Sequence, residues 1–72
     1  MKKEQVTVET EKGVNGTHPV SVILPNGRYY RIDKVMHYAV SPDEYEGVRY
    51  AVLIGKRERF LYRTGDSWYV LV

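Results

Sequence analysis

Arginine and tyrosine alternate along the last two thirds of the chain, in a pattern suited to stacking and ion pairing. Every arginine and every tyrosine lies between residues 28 and 69. Aromatic rings beside cations bind single-stranded nucleic acid, because bases stack on the rings and phosphates pair with the cations. The alternation occurs in four runs, RYYRI (28–32), VRY (48–50), RERFLYR (57–63) and WYV (68–70). The pattern therefore raises the hypothesis of a binding surface.

The alternation divides into a core set and a surface set, because an extended strand sends successive side chains to opposite faces. The predicted core set is Tyr30, Tyr50, Phe60, Tyr62 and Trp68. The candidate binding residues are the outward members of the runs and the arginines of the basic segment 56–63. They are Tyr29, Arg31, Arg49, Arg57, Arg59 and Arg63. These residues form one patch only if their strands are neighbours in the sheet.

Composition limits how strongly this pattern points to a partner. Tyrosine and arginine are also ordinary strand-surface residues, since both cover apolar neighbours and keep a polar end in water. The net charge is only +2, and dedicated nucleic-acid binders usually carry a larger basic bias. The sequence favours a small non-enzymatic binding module, with nucleic-acid contact through the Arg/Tyr surface as the first hypothesis. The alternative is protein–protein interaction or homodimerisation through edge strands and exposed aromatic residues.

Residues with catalytic or metal-binding chemistry are sparse. There is no cysteine, and His18 and His37 lack the short-spaced ligand pairs typical of zinc sites. The acidic cluster Asp43, Glu44 and Glu46 lies in a segment that reads as a solvated loop. We therefore expect no enzymatic activity, no metal, no cofactor and no small-molecule substrate.

The length of 72 residues predicts one all-β domain over residues 1–72, with a partly flexible strand and loop over residues 1–17. Without cysteine, the core must come from aliphatic and aromatic packing. No uncharged stretch is long enough for a membrane helix, and the N-terminus has no apolar signal region. The sequence therefore favours a cytoplasmic protein without a membrane partner.

The first half of the chain predicts three strands. Residues 4–11 read as a half-buried edge strand, and the Gly- and Asn-rich residues 13–17 as a loop. A hairpin then turns at Pro25-Asn26-Gly27. A three-residue loop there pairs Val22 with Tyr30, whereas a two-residue Asn26-Gly27 turn would shift the register by one. The break in alternation near Asp33-Lys34 predicts a β-bulge that bends the strand.

The second half predicts a loop at residues 41–47, a strand at 48–54, a turn at 55–58 and a final hairpin. The hairpin register has two solutions. A three-residue loop at 64–66, which we prefer, places Phe60, Tyr62, Trp68 and Val70 on one face. A two- or four-residue loop pairs Leu61 with Val70 instead. No segment has the length and period of a long helix.

Short strands with turns every eight to twelve residues are typical of all-β barrels and sandwiches. We predict a small antiparallel barrel of five or six strands, SH3-like or OB-like, without a long helix. The strand spacing resembles SH3-type barrels in general. That resemblance implies an architecture only, because such folds host many functions.

Overall fold

The computed structural model describes residues 2–14, 16–40 and 47–72, and these residues form an all-β fold without a helix. The predicted acidic loop, with Asp43, Glu44 and Glu46, falls outside the described residues. The strands are β1 (Lys3–Gly13), β2 (Gly16–Ile23), β3 (Tyr29–Arg31), β4 (Lys34–Val40), β5 (Val48–Ile54), β6 (Arg57–Thr64) and β7 (Ser67–Leu71).

All seven strands belong to one antiparallel sheet with the order β3-β2-β1-β7-β6-β5-β4. The sheet curls into a half-barrel, which confirms the prediction of a small all-β barrel-like fold. The strand count is seven rather than five or six because the strand predicted after the first hairpin is divided in two.

The two edge strands, β3 and β4, follow each other in the chain, and their junction bends the sheet. The Ile32 amide donates to the carbonyl of Val20 on one side, at 2.9 Å. The Asp33 amide donates to the carbonyl of Leu53 on the other side, at 2.8 Å. Two adjacent residues thus tie together the two ends of the sheet, and the sheet must curl to satisfy both.

The predicted distortion near Asp33-Lys34 is present as a break between β3 and β4 at residues 32–33. A register shift follows between Val35 and His37, where Met36 is the extra residue opposite β5. The Asp33 carboxylate accepts a hydrogen bond from the Gly55 amide at 2.9 Å. The polar residue at the break therefore fastens the bend to the β5–β6 turn.

The N-terminal strand was expected at a sheet edge, and this expectation is wrong. β1 pairs with β2 on one side and with β7 on the other. Its Val6 is buried in the core. The loop expected at residues 13–17 is also shorter, because Gly13 pairs with Gly16. Alternation in a sequence shows which face is apolar but not how many neighbours a strand has.

The first hairpin has the predicted three-residue loop. Val22 pairs with Tyr30 and Ser21 with Arg31. Gly27 has a φ of 88°, the left-handed conformation that glycine adopts without steric cost. The competing two-residue register is excluded, since it would move the apolar residues to the other face.

The turn predicted at residues 55–58 is shorter than expected. Ile54 pairs with Arg57, which leaves a two-residue turn of Gly55 and Lys56 with φ values of 54° and 69°. Positive φ at both central residues is the pattern of a type I′ turn, whose twist matches that of the flanking strands. The turn is tight although Lys56 is a poor residue for it.

The preferred register of the final hairpin is wrong, and the alternative is right. Thr64 pairs with Ser67 and Tyr62 with Tyr69, across the two-residue loop Gly65-Asp66. Tyr62 and Trp68 therefore point to opposite faces. Phe60, which was assigned to the core, lies on the outer face with 38% of its surface exposed. The Gly65 φ of 60° allows the shorter loop.

The concave face of the half-barrel holds the core. Its buried members come from six different segments of the chain, so no pair of strands makes the core alone. They are Val6, Val22, Ile32, Tyr50, Val52, Leu61 and Trp68. Of the predicted core set, Tyr50 and Trp68 lie in this cluster, Tyr30 is half-buried, and Tyr62 is buried on the convex face.

Candidate binding groove

The half-barrel is open along one seam, between the first half of β2 and β4. β2 pairs with β3 only through residues 21–23, so residues 16–19 have β1 as their one neighbour. Among the described residues, β4 pairs only with β5. In this part of the structure, the two strands face one another across the concave side of the sheet.

A groove of about 660 Å³ fills this seam. One wall is the tip of the β1–β2 hairpin, including His18. The other wall is β4 and β5, and Arg63 of β6 lies on the floor. The described lining residues are Gly13, Val14, Gly16, Thr17, His18, Val35, Tyr38, Val48, Tyr50 and Arg63. This volume lies within the range of small ligand pockets, about 300–1,000 Å³.

Three aromatic rings form a row of contacts that runs from the rim of the groove to the core. The Tyr38 and Tyr50 ring centres lie 5.8 Å apart, and those of Tyr50 and Trp68 lie 5.3 Å apart. Tyr38 is 65% exposed, whereas Tyr50 and Trp68 are buried. The row of rings therefore exposes Tyr38 to solvent and supports it on two buried rings.

Arg63 supplies the charge of the groove. Its Cζ lies 5.9 Å from the Tyr50 ring centre and 5.7 Å from that of Trp68, both within the range of cation–π attraction. Cross-strand pairing fixes its place, between Val48 on β5 and Trp68 on β7. The side chain is half-buried.

The six residues that the sequence singled out are divided between the two faces of the sheet. Arg57, Arg59 and Arg63 lie on the concave side of β6, because their partners on β5 are Ile54, Val52 and Val48. Only Arg63 lines the groove in the seam. Arg59 borders a second cavity at the other end of the half-barrel.

The other three residues lie on the convex face. Tyr29 and Arg31 share the outer side of β3, where Arg31 stands opposite Ser21. Arg49 lies on the outer side of β5, with its Cζ 4.9 Å from the Phe60 ring centre. Four strands separate β3 from β5 in the sheet. The structure thus brings Arg49 to an aromatic ring but not to Tyr29 or Arg31.

The convex face also carries a packed aromatic pair, which the preferred register of the final hairpin did not predict. The Tyr62 and Tyr69 rings stack at 5.2 Å with an angle of 12° between their planes. The Lys3 ammonium lies 4.8 Å from the Tyr69 ring centre. Tyr69 lies opposite Tyr62 only when the final hairpin has its two-residue loop. The three-residue loop that the sequence favoured therefore did not predict this cluster of Tyr62, Tyr69 and Lys3.

One groove residue, Tyr38, was missed at the sequence level, and so was the contact between Arg63 and the Trp68 ring. Tyr38 alternates with Met36 and Val40 in the segment MHYAV. That alternation was a usable signal of an apolar strand face. Its position at a sheet edge, however, depends on pairing between distant segments.

The second cavity, of about 630 Å³, differs in chemistry from the groove in the seam. Its walls are largely apolar, including Leu24, Ile54 and Leu61. Glu4 and Glu58 lie at this cavity together with Arg59, so its charged groups have both signs. The groove in the seam has, among its described lining residues, a positive side chain and no carboxylate.

Within residues 2–14, 16–40 and 47–72, no three His, Asp or Glu side chains converge in a way that could hold a metal ion. None of these residues belongs to a helix long and apolar enough to cross a membrane. Comparison with known proteins yields no matching family model, no matching curated protein and no matching solved structure.

Proposed function

We propose that this chain is a small non-enzymatic binding module that recognises an extended segment of a partner protein, added as a strand to β4. The observation that carries the proposal is the position of β4, a seven-residue strand at one edge of the described sheet whose concave face opens onto the aromatic groove. In strand addition, backbone hydrogen bonds supply affinity, and pockets for alternate side chains supply specificity. The seam combines an edge strand with a groove that can receive side chains.

The exposed side chains of β4 support this role. Tyr38 and Val40 point to the concave side with 65% and 70% of their surfaces exposed. Most edge strands are protected by charges, proline, bulges or covering segments. β4 has a lysine at its start and a bulge at Met36, and its pairing with β5 is regular from His37 to Val40.

Binding rather than catalysis is supported by the chemistry of the groove. Its described lining is mainly aromatic and aliphatic, with one guanidinium on the floor and one histidine at the rim. Such a surface excludes water and orients a ligand. A partner strand would also stabilise a short chain, since a ligand that binds only the folded state shifts the folding equilibrium.

The test is a heteronuclear NMR titration with the capped hexapeptide TVQVTV, a neutral sequence with high strand propensity. We expect peak shifts in the amides of β4 and of the groove, together with slower hydrogen exchange in His37–Val40. The matched controls are two peptides N-methylated at alternate residues, because each lacks the amide protons on one side of the strand. One control should lose binding and the other should keep it.

Two results would contradict strand addition. Equal binding by both N-methylated peptides would show that backbone pairing is not involved. Peak shifts restricted to the convex face would show that the seam is not the binding site. Sedimentation equilibrium measures whether the chain dimerises. A dimer that dissociates when TVQVTV is added would mean that a second copy of the chain supplies the added strand, which would support the same edge pairing.

Nucleic-acid contact is a second candidate, favoured by the cation–aromatic contacts on the convex face. Arg49 lies over Phe60, and Lys3 lies over Tyr69. Bases stack on such rings while the cations contact phosphates. The test is a titration with a short oligothymidylate at low and at high salt. Binding that weakens steeply with salt and shifts Phe60 would support this candidate; its absence at low salt would remove it.

A further inference from the structure

We infer that the groove accepts a carboxylate, so that the partner segment carries an aspartate or glutamate side chain directed at Arg63. This inference rests on the proposed function, because it specifies which strand the β4 edge selects.

The Arg63 guanidinium makes no hydrogen bond and no ion pair with any described residue; its contacts there are with the rings of Tyr50 and Trp68. A guanidinium has five N–H donors. Removing a charged donor from water is costly unless the group gains a partner. Arg63 is a half-buried residue on the floor of an open groove, so its guanidinium is ready to receive an anion.

The surroundings hold the guanidinium in place before any ligand arrives. Tyr50 on β5 and Trp68 on β7 lie on the two strands that flank β6, and their rings contact each other at 5.3 Å between centres. Arg63 lies within 6 Å of both ring centres. A planar cation positioned in this way binds a carboxylate through two parallel hydrogen bonds and loses little side-chain entropy in doing so.

The rest of the lining fits a peptide strand better than a phosphate backbone. Val35, Tyr38 and Val48 surround the charge with apolar surface. A strand presents alternate residues to one face, so a single acidic residue with apolar neighbours two positions away matches this pattern. A nucleic acid places phosphates at regular intervals and needs a series of cations along its path.

Trp68 provides the measurement, since it is the only tryptophan of the chain and lies beside Arg63. We would titrate the intact protein with TVEVTV, with TVQVTV and with a series in which the single Glu is moved along the peptide. The best-placed Glu peptide should bind about tenfold or more tightly than its Gln counterpart, as expected for a charge-assisted hydrogen bond in a half-buried site.

The Arg63→Gln variant should remove this preference, so that TVEVTV and TVQVTV bind the variant with affinities within about threefold of each other. Arg63→Lys keeps the charge without the planar fork and should retain a reduced preference. It also serves as the informative variant if Arg63→Gln does not fold. Circular dichroism on each variant verifies the fold.

The two levels of the proposal fail in different ways. Equal affinity for the Glu and Gln peptides, with pairing to β4 intact, would overturn the carboxylate inference and leave the proposed function standing. Binding of none of the peptides would overturn the proposed function. A third result would be that oligothymidylate displaces TVEVTV from the parent protein but does not bind the Arg63→Gln variant. That result would identify a phosphate as the anion and overturn the choice of a peptide.

Discussion

A Cβ atom on Gly47 would lie 1.9 Å from the carbonyl oxygen of Arg63. The backbone that enters β5 thus runs directly against β6, at the residue whose side chain forms the floor of the groove. Gly47 also has a φ of 101°, a conformation that side chains rarely adopt. Both restrictions act on the same position, so the geometry of the groove depends on a glycine outside it.

Gly47→Ala should lower the free energy of unfolding by about 3 kcal/mol or more, because a backbone clash adds to the conformational strain. Urea denaturation followed by Trp68 fluorescence measures the effect. Gly27→Ala is the matched control, since Gly27 has a φ of 88° but nothing within 4 Å of a built Cβ. It should cost only about 1–2 kcal/mol. Equal losses would contradict the clash.

Lys56→Gly should stabilise the protein by about 0.5–1 kcal/mol. Lys56 has a φ of 69°, and glycine adopts this conformation without the steric cost of a Cβ, although it loses more entropy on folding. The thermal unfolding midpoint should rise accordingly. Lys56→Ala retains the strain and should stay within about 0.5 kcal/mol of the parent chain. An equal gain in both variants would assign the effect to the lysine charge instead.

Leu61→Ala and Phe60→Ala distinguish the two registers of the final hairpin. Leu61 is buried in the concave core, so its truncation should cost about 2–5 kcal/mol. Phe60 is 38% exposed on the convex face and should cost about 1 kcal/mol. Chemical denaturation of the two variants under the same conditions gives the comparison. A larger loss of stability in Phe60→Ala than in Leu61→Ala would support the three-residue loop at 64–66 instead.

Tyr69→Phe should raise the free energy of unfolding by about 1 kcal/mol. The Tyr69 hydroxyl is buried and has no hydrogen-bond partner in the described part of the chain, so the polar atom is desolvated without compensation. Tyr29→Phe is the control, because Tyr29 is exposed and should change stability by less than about 0.5 kcal/mol. A loss of stability in Tyr69→Phe would mean that the hydroxyl is hydrogen-bonded in solution.

Local chemistry accounts for the parts of the fold that the sequence predicted. Pro25, Asn26 and Gly27 each have a backbone preference that matches one position of the first turn, and the apolar residues around it fit one register. The uninterrupted run at 48–54 became β5 without change. The final hairpin lacked such agreement, because Trp68 and Tyr69 lie on opposite faces of β7 and either register places one of them beside Phe60 and Tyr62 of β6.

The alternation of arginine and tyrosine correctly indicated strands, since period-two alternation is a property of the extended backbone itself. It did not determine which arginine meets which ring. Tertiary structure decided that, by ordering the strands so that β3 and β4 are edges and by curling the sheet at residues 32–33. Curling placed Arg63 beneath an open seam. The strand order left four strands between Arg31 and Arg49 on the other face, because that order depends on contacts between segments distant in sequence.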